Sequence, residues 1–442
     1  MKNYIYKILF LTSVIVALAS CEVREFSDLN GPEVDAFEDD LTRGDLQDLV
    51  GGILYSTRVR LGTYYDDCGV IGREYWRFSG SDPRFTTDLL GGENSVLDNN
   101  TFYITGPWGS RYRSVKNANL ILGFFDAQDL SGQFTTAEIS ATRGLLKTFI
   151  GYEMLLNLNL TDTNSIRIDV DDENDLGPFV SKSEALAGIK AFLDDGANDL
   201  SNGGSDFPFV LSSGFNGFDS PGSFLTFNKA ISARVAAYQG NATQVLSYLS
   251  DSFFNFDGSD LNTGVYYTFS EDPIDIINPL FISEGGSSEA QARVVQPLFL
   301  SEAENNDNRL NKTLQLDAPI TLDGLTGDHI VYRYDSNLAS IPIIRNEELI
   351  LLYAEANITV NPNEAVNALN VIRASAGLGN YEGATDTASL VNEMLNQRRY
   401  SLFAEGHRWV DMRRYGKLGE LPLDRPEDNV WNEFPIPLAE NQ

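Results

Sequence analysis

Apolar residues recur at helical spacing along much of the chain, and longer polar segments separate these stretches. A repeat of three to four residues puts apolar side chains on one face of a helix, so the pattern predicts amphipathic helices. Ser181-Lys182-Ser183-Glu184 has the spacing of a capping box and predicts where one of them begins. The predicted helices cover approximately residues 39–60, 108–125, 136–159, 181–200, 226–250, 345–358, 363–376 and 387–404.

The polar segments predict loops. Residues 64–92 mix aromatic, charged and glycine residues without a period, and residues 202–223 are rich in Gly, Ser, Asp and Phe. The segment 251–340 is loop-rich, with short strands predicted around Tyr266-Tyr267 and 330–334. We expect one domain over residues 39–442, made of a mainly helical part (39–250), a loop-rich part (251–340) and a helical part (341–442).

The N-terminus has the features of an export signal. Lys2 and Lys7 are positively charged, and residues 8–19 form an apolar run that is too short to span a bilayer, which needs about 20 residues. The run ends in Leu18-Ala19-Ser20-Cys21, which resembles the lipobox of bacterial lipoproteins. We expect residues 1–20 to be a lipoprotein signal peptide, Cys21 to be lipidated and residues 21–38 to form a tether. The alternative is an ordinary secreted protein with an incidental cysteine.

The composition is strongly acidic, with 32 Lys and Arg against 63 Asp and Glu and a formal net charge of −31. Because phosphate binding needs a basic surface, this balance argues against a nucleic-acid partner and against adsorption to anionic lipid by charge alone. Cys68 is the only other cysteine. If Cys21 is acylated, no intramolecular disulfide can form, so we expect the apolar core to hold the fold together.

Catalytic motifs are sparse. With His329 and His407 as the only histidines, an HExxH zinc site is excluded, and the sequence has no GxSxG elbow, P-loop or dinucleotide-binding glycine pattern. Residues 169–175 begin like a calcium loop, but Asn174 stands where such a loop needs Gly and Val180 where it needs Glu. We therefore expect a solvated acidic loop, no metal and no cofactor. In a chain with so many acidic residues, some carboxylates lie near one another by chance. Such pairs do not exclude a glycosidase, but they are not evidence for one.

Several segments, read in order, resemble the SusD/RagB family of bacterial nutrient-uptake lipoproteins. Residues 341–356 carry the family's arginine, acidic, apolar and Tyr-Ala-Glu-Ala pattern, and residues 363–378 resemble the helix that follows it. Residues 398–416 (RRYSLFAEGHRWVDMRRYG) resemble the signature of Glu-Gly-His-Arg-Trp and Asp-x-Arg-Arg, and residues 434–437 the terminal Pro-Ile-Pro element. Residues 108–122 and 143–158 and the lipobox fit as well, so the resemblance covers nearly the whole mature chain.

Two positions depart from the family pattern, because Gln397 and Ser401 stand where the family usually has Glu. We expect an altered charge network there, with Tyr400 filling space. We expect the signature block to be structural rather than a ligand site. Its apolar face comprises Leu395, Leu402, Trp409 and Met412, and its charges are Glu405, Arg408, Asp411, Arg413 and Arg414.

The resemblance implies a fold and a function. The fold is mostly α-helical, with tetratricopeptide-like helical hairpins packed against a loop-rich half. Family members sit on the outer membrane by a lipid anchor, facing the exterior. They capture an oligosaccharide, or in some members a peptide, and deliver it to a SusC-type TonB-dependent barrel without catalysis. The alternatives are a non-catalytic helical scaffold without its own ligand site, and an exported glycoside hydrolase.

The residue types in 64–78 suggest where a glycan would bind. A glycan offers flat apolar faces and many hydroxyls, so its site needs an exposed aromatic plane beside a few Asn, Asp or Arg groups in a shallow concavity. The candidate ligand-binding residues are Tyr65, Asp67, Arg73, Tyr75 and Trp76. The alternative is that Tyr75 and Trp76 pack this segment onto the helical body.

Overall fold

The computed structural model describes residues 41–441, except Glu93 and Glu173. The predicted signal peptide, the lipidation site Cys21 and the tether 21–38 lie outside the described residues.

The N-terminal half is built from helices, most of which start at a side-chain cap. Thr42 and Asp45 cap α1 with a reciprocal capping box, as Thr135 and Glu138 cap α4. The capping box predicted at Ser181 is present and begins α5, so that prediction is confirmed. The helices are α1 (Arg43–Ser56), α2 (Leu61–Ile71), α3 (Phe102–Ala127), α4 (Thr136–Thr161), α5 (Lys182–Ser201), α6 (Pro221–Tyr238) and α7 (Ala242–Ser250).

Two predictions in this half are wrong. The helix predicted over 226–250 is broken in two at Gly240, because the side chain of Asn241 accepts a hydrogen bond from the Gln244 N–H and starts α7 anew. The loop predicted over 64–92 contains α2 and a strand. Ten of the 11 residues of α2 are buried, so the helix has no polar face and shows no amphipathic period.

Two small antiparallel sheets lie in the middle of the chain. The strands are β1 (Tyr75–Ser79), β2 (Gly264–Tyr267), β3 (Gln291–Val295), β4 (Thr313–Leu322), β5 (Leu325–Val331) and β6 (Ile341–Arg345). One sheet has the order β1-β3-β5-β4, and the other pairs β2 with β6. The strands predicted around Tyr266 and Ile330 are present, whereas β1, β3, β4 and β6 were not predicted.

The C-terminal part returns to helices. Pro362 stands in the first turn of its helix and separates the predicted pair, and the helix predicted over 387–404 ends at Ser401, three residues before the positive φ of Ala404 (58°). A short helix follows that was not predicted separately. The helices are α8 (Pro297–Ser301), α9 (Asn346–Val360), α10 (Pro362–Ser375), α11 (Thr387–Ser401) and α12 (Arg408–Arg414).

Consecutive helices pack side by side, as α3 with α4, α4 with α5, α5 with α6 and α9 with α10. The C-terminal helices share an apolar core around Ile350, Leu369, Leu390 and Met394. The predicted fold, mostly α-helical with hairpins packed against a loop-rich half, is confirmed. None of the helices among the described residues is both long and apolar enough to cross a bilayer.

The last described residues, 421–441, form a segment without α-helix or β-strand, here named the C-terminal strap. Its backbone N–H groups at Asn429 and Phe434 donate to the carbonyls of Leu90 (3.0 Å) and Leu160 (2.9 Å). The Phe434 ring is fully buried. The strap thus connects the end of the chain to the N-terminal helices.

Candidate functional site

A groove of about 710 Å³ opens between the turn that joins α1 to α2 and the segment 270–279, here named the 270–279 loop. The turn 57–60 forms one wall and the loop forms the other. The turn contributes apolar and basic side chains and the loop contributes apolar and acidic ones, so the groove as a whole has the mixture expected of a site for a polar ligand with apolar faces.

Tyr55 supplies an aromatic ring to the groove. The residue is 38% exposed, and the Arg58 guanidinium lies 5.8 Å from its ring centroid. Arg58 is held from several sides, because it donates to the carbonyls of Leu54 (3.2 Å) and Thr268 (2.7 Å) and pairs with Asp275 at 2.8 Å. The ring and the cation are therefore presented together in a fixed arrangement.

The 270–279 loop is anchored to its surroundings. The Ser270 N–H donates to the Ile276 carbonyl at 3.3 Å, and the Asn278 side chain donates to the Ala339 carbonyl at 2.6 Å. Gly62 of α2 allows the close approach, because a Cβ at this position would lie 2.8 Å from the Pro279 Cβ. The width of the groove thus depends on a residue without a side chain.

The charges of the groove are partly neutralised. Burial works to raise the pKa of Asp275, but Arg58, the Ile276 N–H and the Ser270 hydroxyl together outweigh it, and the pKa lies below its usual value. Asp275 is therefore a carboxylate at neutral pH and is paired. Glu271 accepts from the Asn337 amide at 2.8 Å. Arg60 is exposed at the edge, with a left-handed backbone (φ 56°).

This arrangement can bind but is poorly equipped for proton transfer. A general acid needs a carboxyl group that keeps its proton near neutral pH, which burial without a cation provides. Asp275 has the opposite environment, since Arg58 holds it ionised. In contrast, an exposed ring next to fixed donors and acceptors suits stacking against a sugar face and hydrogen bonds to its hydroxyls.

The structure does not place the five predicted ligand residues on an accessible surface. Tyr65 is 4% exposed, Asp67 0% and Tyr75 0%. The Tyr75 hydroxyl donates to the Tyr65 carbonyl at 2.9 Å, which ties β1 to α2. Among the described residues, neither oxygen of Asp67 has a hydrogen-bond partner, and burial raises the pKa of Asp67 well above its usual value.

Arg73 and Trp76 are also buried and form hydrogen bonds inside the protein. The Arg73 guanidinium donates to carbonyls of both α2 and the C-terminal strap, including those of Val70 (3.1 Å) and Asn429 (2.8 Å). Trp76 Nε1 donates to Asp424 at 2.7 Å. The hypothesis of an exposed aromatic plane at these positions therefore needs correction. The segment was expected to be a loop, but it folds into a buried helix and strand, so its rings pack inward.

The signature block lies inside the molecule, as expected of a structural element. Buried ion pairs join its elements, with Arg398 to Asp411 at 2.6 Å and Arg345 to Glu405 at 2.8 Å. Burial lowers the pKa of His407 to about 4 although Glu348 lies 3.8 Å away, so the imidazole is neutral at pH 7.

The two departures from the family pattern have a direct structural counterpart. Arg309 donates to the Gln397 side chain at 2.8 Å and to the Ser401 hydroxyl at 3.1 Å. Asp307 supplies the charge for Arg309 at 2.7 Å. Tyr400 is buried against Phe299, whose ring centroid is 4.8 Å away, so it fills space as expected.

Sequence reasoning missed the groove. Tyr55 lies in a predicted helix but outside its apolar stripe, which was the available signal. Nothing in the sequence indicates that residues 270–279 face Tyr55, because that contact depends on the tertiary fold. In the described part of the chain, no group of three or more His, Cys, Asp or Glu side chains is arranged to hold a metal ion.

Comparisons with known proteins agree with the motif analysis. Residues 320–436 match the SusD_RagB model, described as the SusD family. No curated protein matches the sequence. The resemblance to the SusD/RagB family is confirmed.

Solved structures share the fold. A SusD superfamily protein from Parabacteroides distasonis has a TM-score of 0.67 and 16% identity, covering 91% of this chain and 98% of that chain. Surface glycan-binding protein A from Bacteroides thetaiotaomicron has a TM-score of 0.67 and 14% identity over 91% and 97%. The same protein in complex with laminarihexaose has a TM-score of 0.67 and 14% identity over 90% and 97%.

Proposed function

Since residues 320–436 belong to the SusD family and the chain has the SusD fold, we propose that this protein is a cell-surface lipoprotein that binds an oligosaccharide in the groove at Tyr55. It then delivers the ligand to a SusC-type TonB-dependent transporter in the outer membrane. The lipid on Cys21 anchors it there, facing the exterior.

The choice of site rests on the arrangement of Tyr55 and Arg58 at the groove. The exposed Tyr55 ring stands next to Arg58, which Asp275 and two carbonyl groups hold in place, at the opening of a groove about 710 Å³ in volume. A fixed ring with fixed polar groups binds a sugar at a low entropic cost, because little has to be ordered on binding. That two of the similar structures are titled glycan-binding proteins, one of them with laminarihexaose bound, supports this ligand class.

The proposal is a binding function without catalysis. Asp275 is ionised and paired with Arg58, so it does not supply a proton to a leaving group. His407 is largely buried, with 12% of its side chain exposed, and contributes to packing. Incubation of candidate oligosaccharides with the protein should leave them intact by chromatography, and hydrolysis products would favour the glycoside hydrolase instead.

The test of the site is Tyr55→Ala. Removing an exposed ring that stacks on a sugar should weaken oligosaccharide binding about tenfold or more in calorimetry, with an unchanged Tm. Phe256→Ala is the matched control, because Phe256 is 37% exposed and lies away from the groove lining. Equal affinity for the wild type and Tyr55→Ala would reject the groove. Absence of any glycan binding, together with co-purification of a barrel, would favour the scaffold.

A further inference from the structure

Nearly all the basic side chains in the described part of the chain have partners, and two do not. Arginines such as Arg234, Arg293 and Arg398 are buried in ion pairs with carboxylates at 2.6 to 2.7 Å. Arg60 and Arg113 are exposed, and within the described residues neither guanidinium has a hydrogen bond, an ion pair or an aromatic ring as partner. In a chain with a net charge of −31, two cations without an acidic partner need an explanation.

Both arginines lie along one face of α3. The side chain of Arg60 runs beside Gly106, since a Cβ there would meet the Arg60 Cδ at 3.4 Å. Arg113 follows Gly106 by two helical turns, about 10 Å along the axis, on the same face. Between them Gly109 has open space where a side chain would stand. A shallow surface therefore connects the two guanidinium groups.

This face is depleted in negative charge. From Phe102 to Phe125, α3 contains no Asp or Glu, and its first acid is Asp126 near the C-terminal end. Glu440 contacts α3 through Trp108, but it is already paired with Arg167 at 3.1 Å. At the N-terminal end the Phe102 ring adds an aromatic surface, with Arg84 5.0 Å from its centroid.

The backbone at Arg60 adds a second argument. Arg60 adopts a left-handed conformation (φ 56°) that glycine would occupy without strain. Its side chain does not cap α2, which begins at the next residue. An arginine in a strained position that makes no internal polar contact is a candidate for recognition of a ligand.

We infer that Arg60 and Arg113 recognise negative charge on the ligand, so that the oligosaccharide bound by this chain carries carboxylate or sulfate groups. The inference rests on the proposed function and extends its site. Arg60 lines the groove at Tyr55, and the ligand continues from there along α3 to Arg113. Guanidinium groups suit these anions because their N–H donors match two oxygens at once.

The experiment compares acidic with neutral oligosaccharides on the purified full chain. A glycan array first identifies ligands, with oligogalacturonate and its methyl-esterified form as one matched pair and sulfated and unsulfated glycans as another. Calorimetry then measures the affinity of Arg60→Gln, Arg113→Gln and the double variant. We expect each single change to weaken acidic ligands about two- to fivefold and the double change about tenfold or more.

Controls separate charge recognition from other effects. Arg60→Lys and Arg113→Lys keep the charge but lose the paired N–H donors, so their affinity for acidic ligands should lie between those of the Gln variants and the wild type, and raising the salt concentration should weaken only acidic ligands. Arg43→Gln removes an exposed arginine paired with Glu138 elsewhere and should have no effect. Binding of neutral ligands only, or acidic ligands bound equally well by the wild type and the double variant, would overturn the inference but keep the proposed function. Failure to bind any glycan would reject both.

Discussion

At the scale of single residues, the molecule uses arginine mainly as an internal connector. Arg73 holds carbonyl groups of α2 and the C-terminal strap, and Arg345 donates to the Ser401 carbonyl and to Glu405, both at 2.8 Å. A buried cation of this kind is costly without its partners, because only they compensate for the loss of its hydration. The residues that resemble the family signature therefore specify the fold, while the candidate site uses residues outside it.

Trp409→Ala tests the structural role of the signature. The indole is fully buried, its Nε1 donates to the Trp431 carbonyl at 2.8 Å, and its ring meets Phe434 edge-on at 5.7 Å. Truncation should lower the free energy of unfolding by about 3–5 kcal/mol, measured by urea denaturation. Tyr55→Ala is the control and should leave stability within about 0.5 kcal/mol. A stable Trp409→Ala variant that loses only ligand binding would contradict this role.

The helical elements show why part of the fold could be predicted from the sequence. The capping box at Ser181 predicted the start of α5, and apolar residues at helical spacing predicted most of the length of α4 and α5. Helix α2 was missed because it is buried on all sides and therefore lacks a polar face. The hairpin of β4 and β5 turns at Asp323-Gly324, both with positive φ, and this dipeptide is a local signal for a hairpin even where the strands themselves are hard to predict.

The candidate site, unlike most of the helices, could not be predicted from the sequence. The mixture of aromatic and charged residues in 64–78 was expected to mark an exposed surface, yet side-chain type alone does not distinguish a ring that binds a ligand from one that packs inward. Tyr55 and the 270–279 loop meet only in the folded chain, across more than 200 positions of sequence. Contacts of such separation leave no local pattern to read.

Gly62→Ala tests how α2 and the 270–279 loop set the width of the groove. The new Cβ would lie 2.8 Å from the Pro279 Cβ, so the loop must move. We expect a loss of about 1–3 kcal/mol in stability, by the usual cost of overpacking, together with weaker oligosaccharide binding. Gly51→Ala in α1 is the matched control, because its Cβ meets nothing within 4 Å and should stabilise the helix by up to about 1 kcal/mol. Unchanged binding by Gly62→Ala would show that the loop does not shape the site.

At the scale of the whole molecule, buried carboxylates make the stability of the fold depend on pH. Burial alone would raise the pKa of Glu348 and Asp411, but Arg234 and Arg398 respectively lower both to about 2. In the unfolded chain these groups protonate near pH 4.5 and 3.8. Their stabilisation is therefore complete above about pH 5 and is lost as the pH falls toward 2.

Urea denaturation between pH 7 and pH 2.5 measures this loss. We expect the free energy of unfolding to fall steeply below pH 4.5, by a few kcal/mol from these two groups together. Asp411→Asn should be less stable at pH 7, because Arg398 loses its partner, and should show a shallower acid decline. Asp48→Asn, at an exposed position of α1, should reproduce the wild-type profile. An identical acid decline in Asp411→Asn would rule out this carboxylate as a cause.

Truncation of Phe434 tests whether the C-terminal strap stabilises the fold. Phe434→Ala should cost about 3–5 kcal/mol, since the buried ring packs between Tyr103 and Trp409. Leu423→Ala, in the same strap but 56% exposed, should change stability by less than about 0.5 kcal/mol. Equal losses in the two variants would mean that the strap acts through its backbone alone.

The same strap governs when the protein can finish folding. The ribosome makes Asn429 and Phe434 hundreds of positions after Leu90 and Leu160, yet their backbone N–H groups donate to the carbonyls of these two earlier residues. Until the C-terminal strap emerges, Leu90 and Leu160 lack these hydrogen-bond donors. If the chain is exported as proposed, this delay keeps it loose enough to be threaded through a translocation channel, and it closes only on the far side.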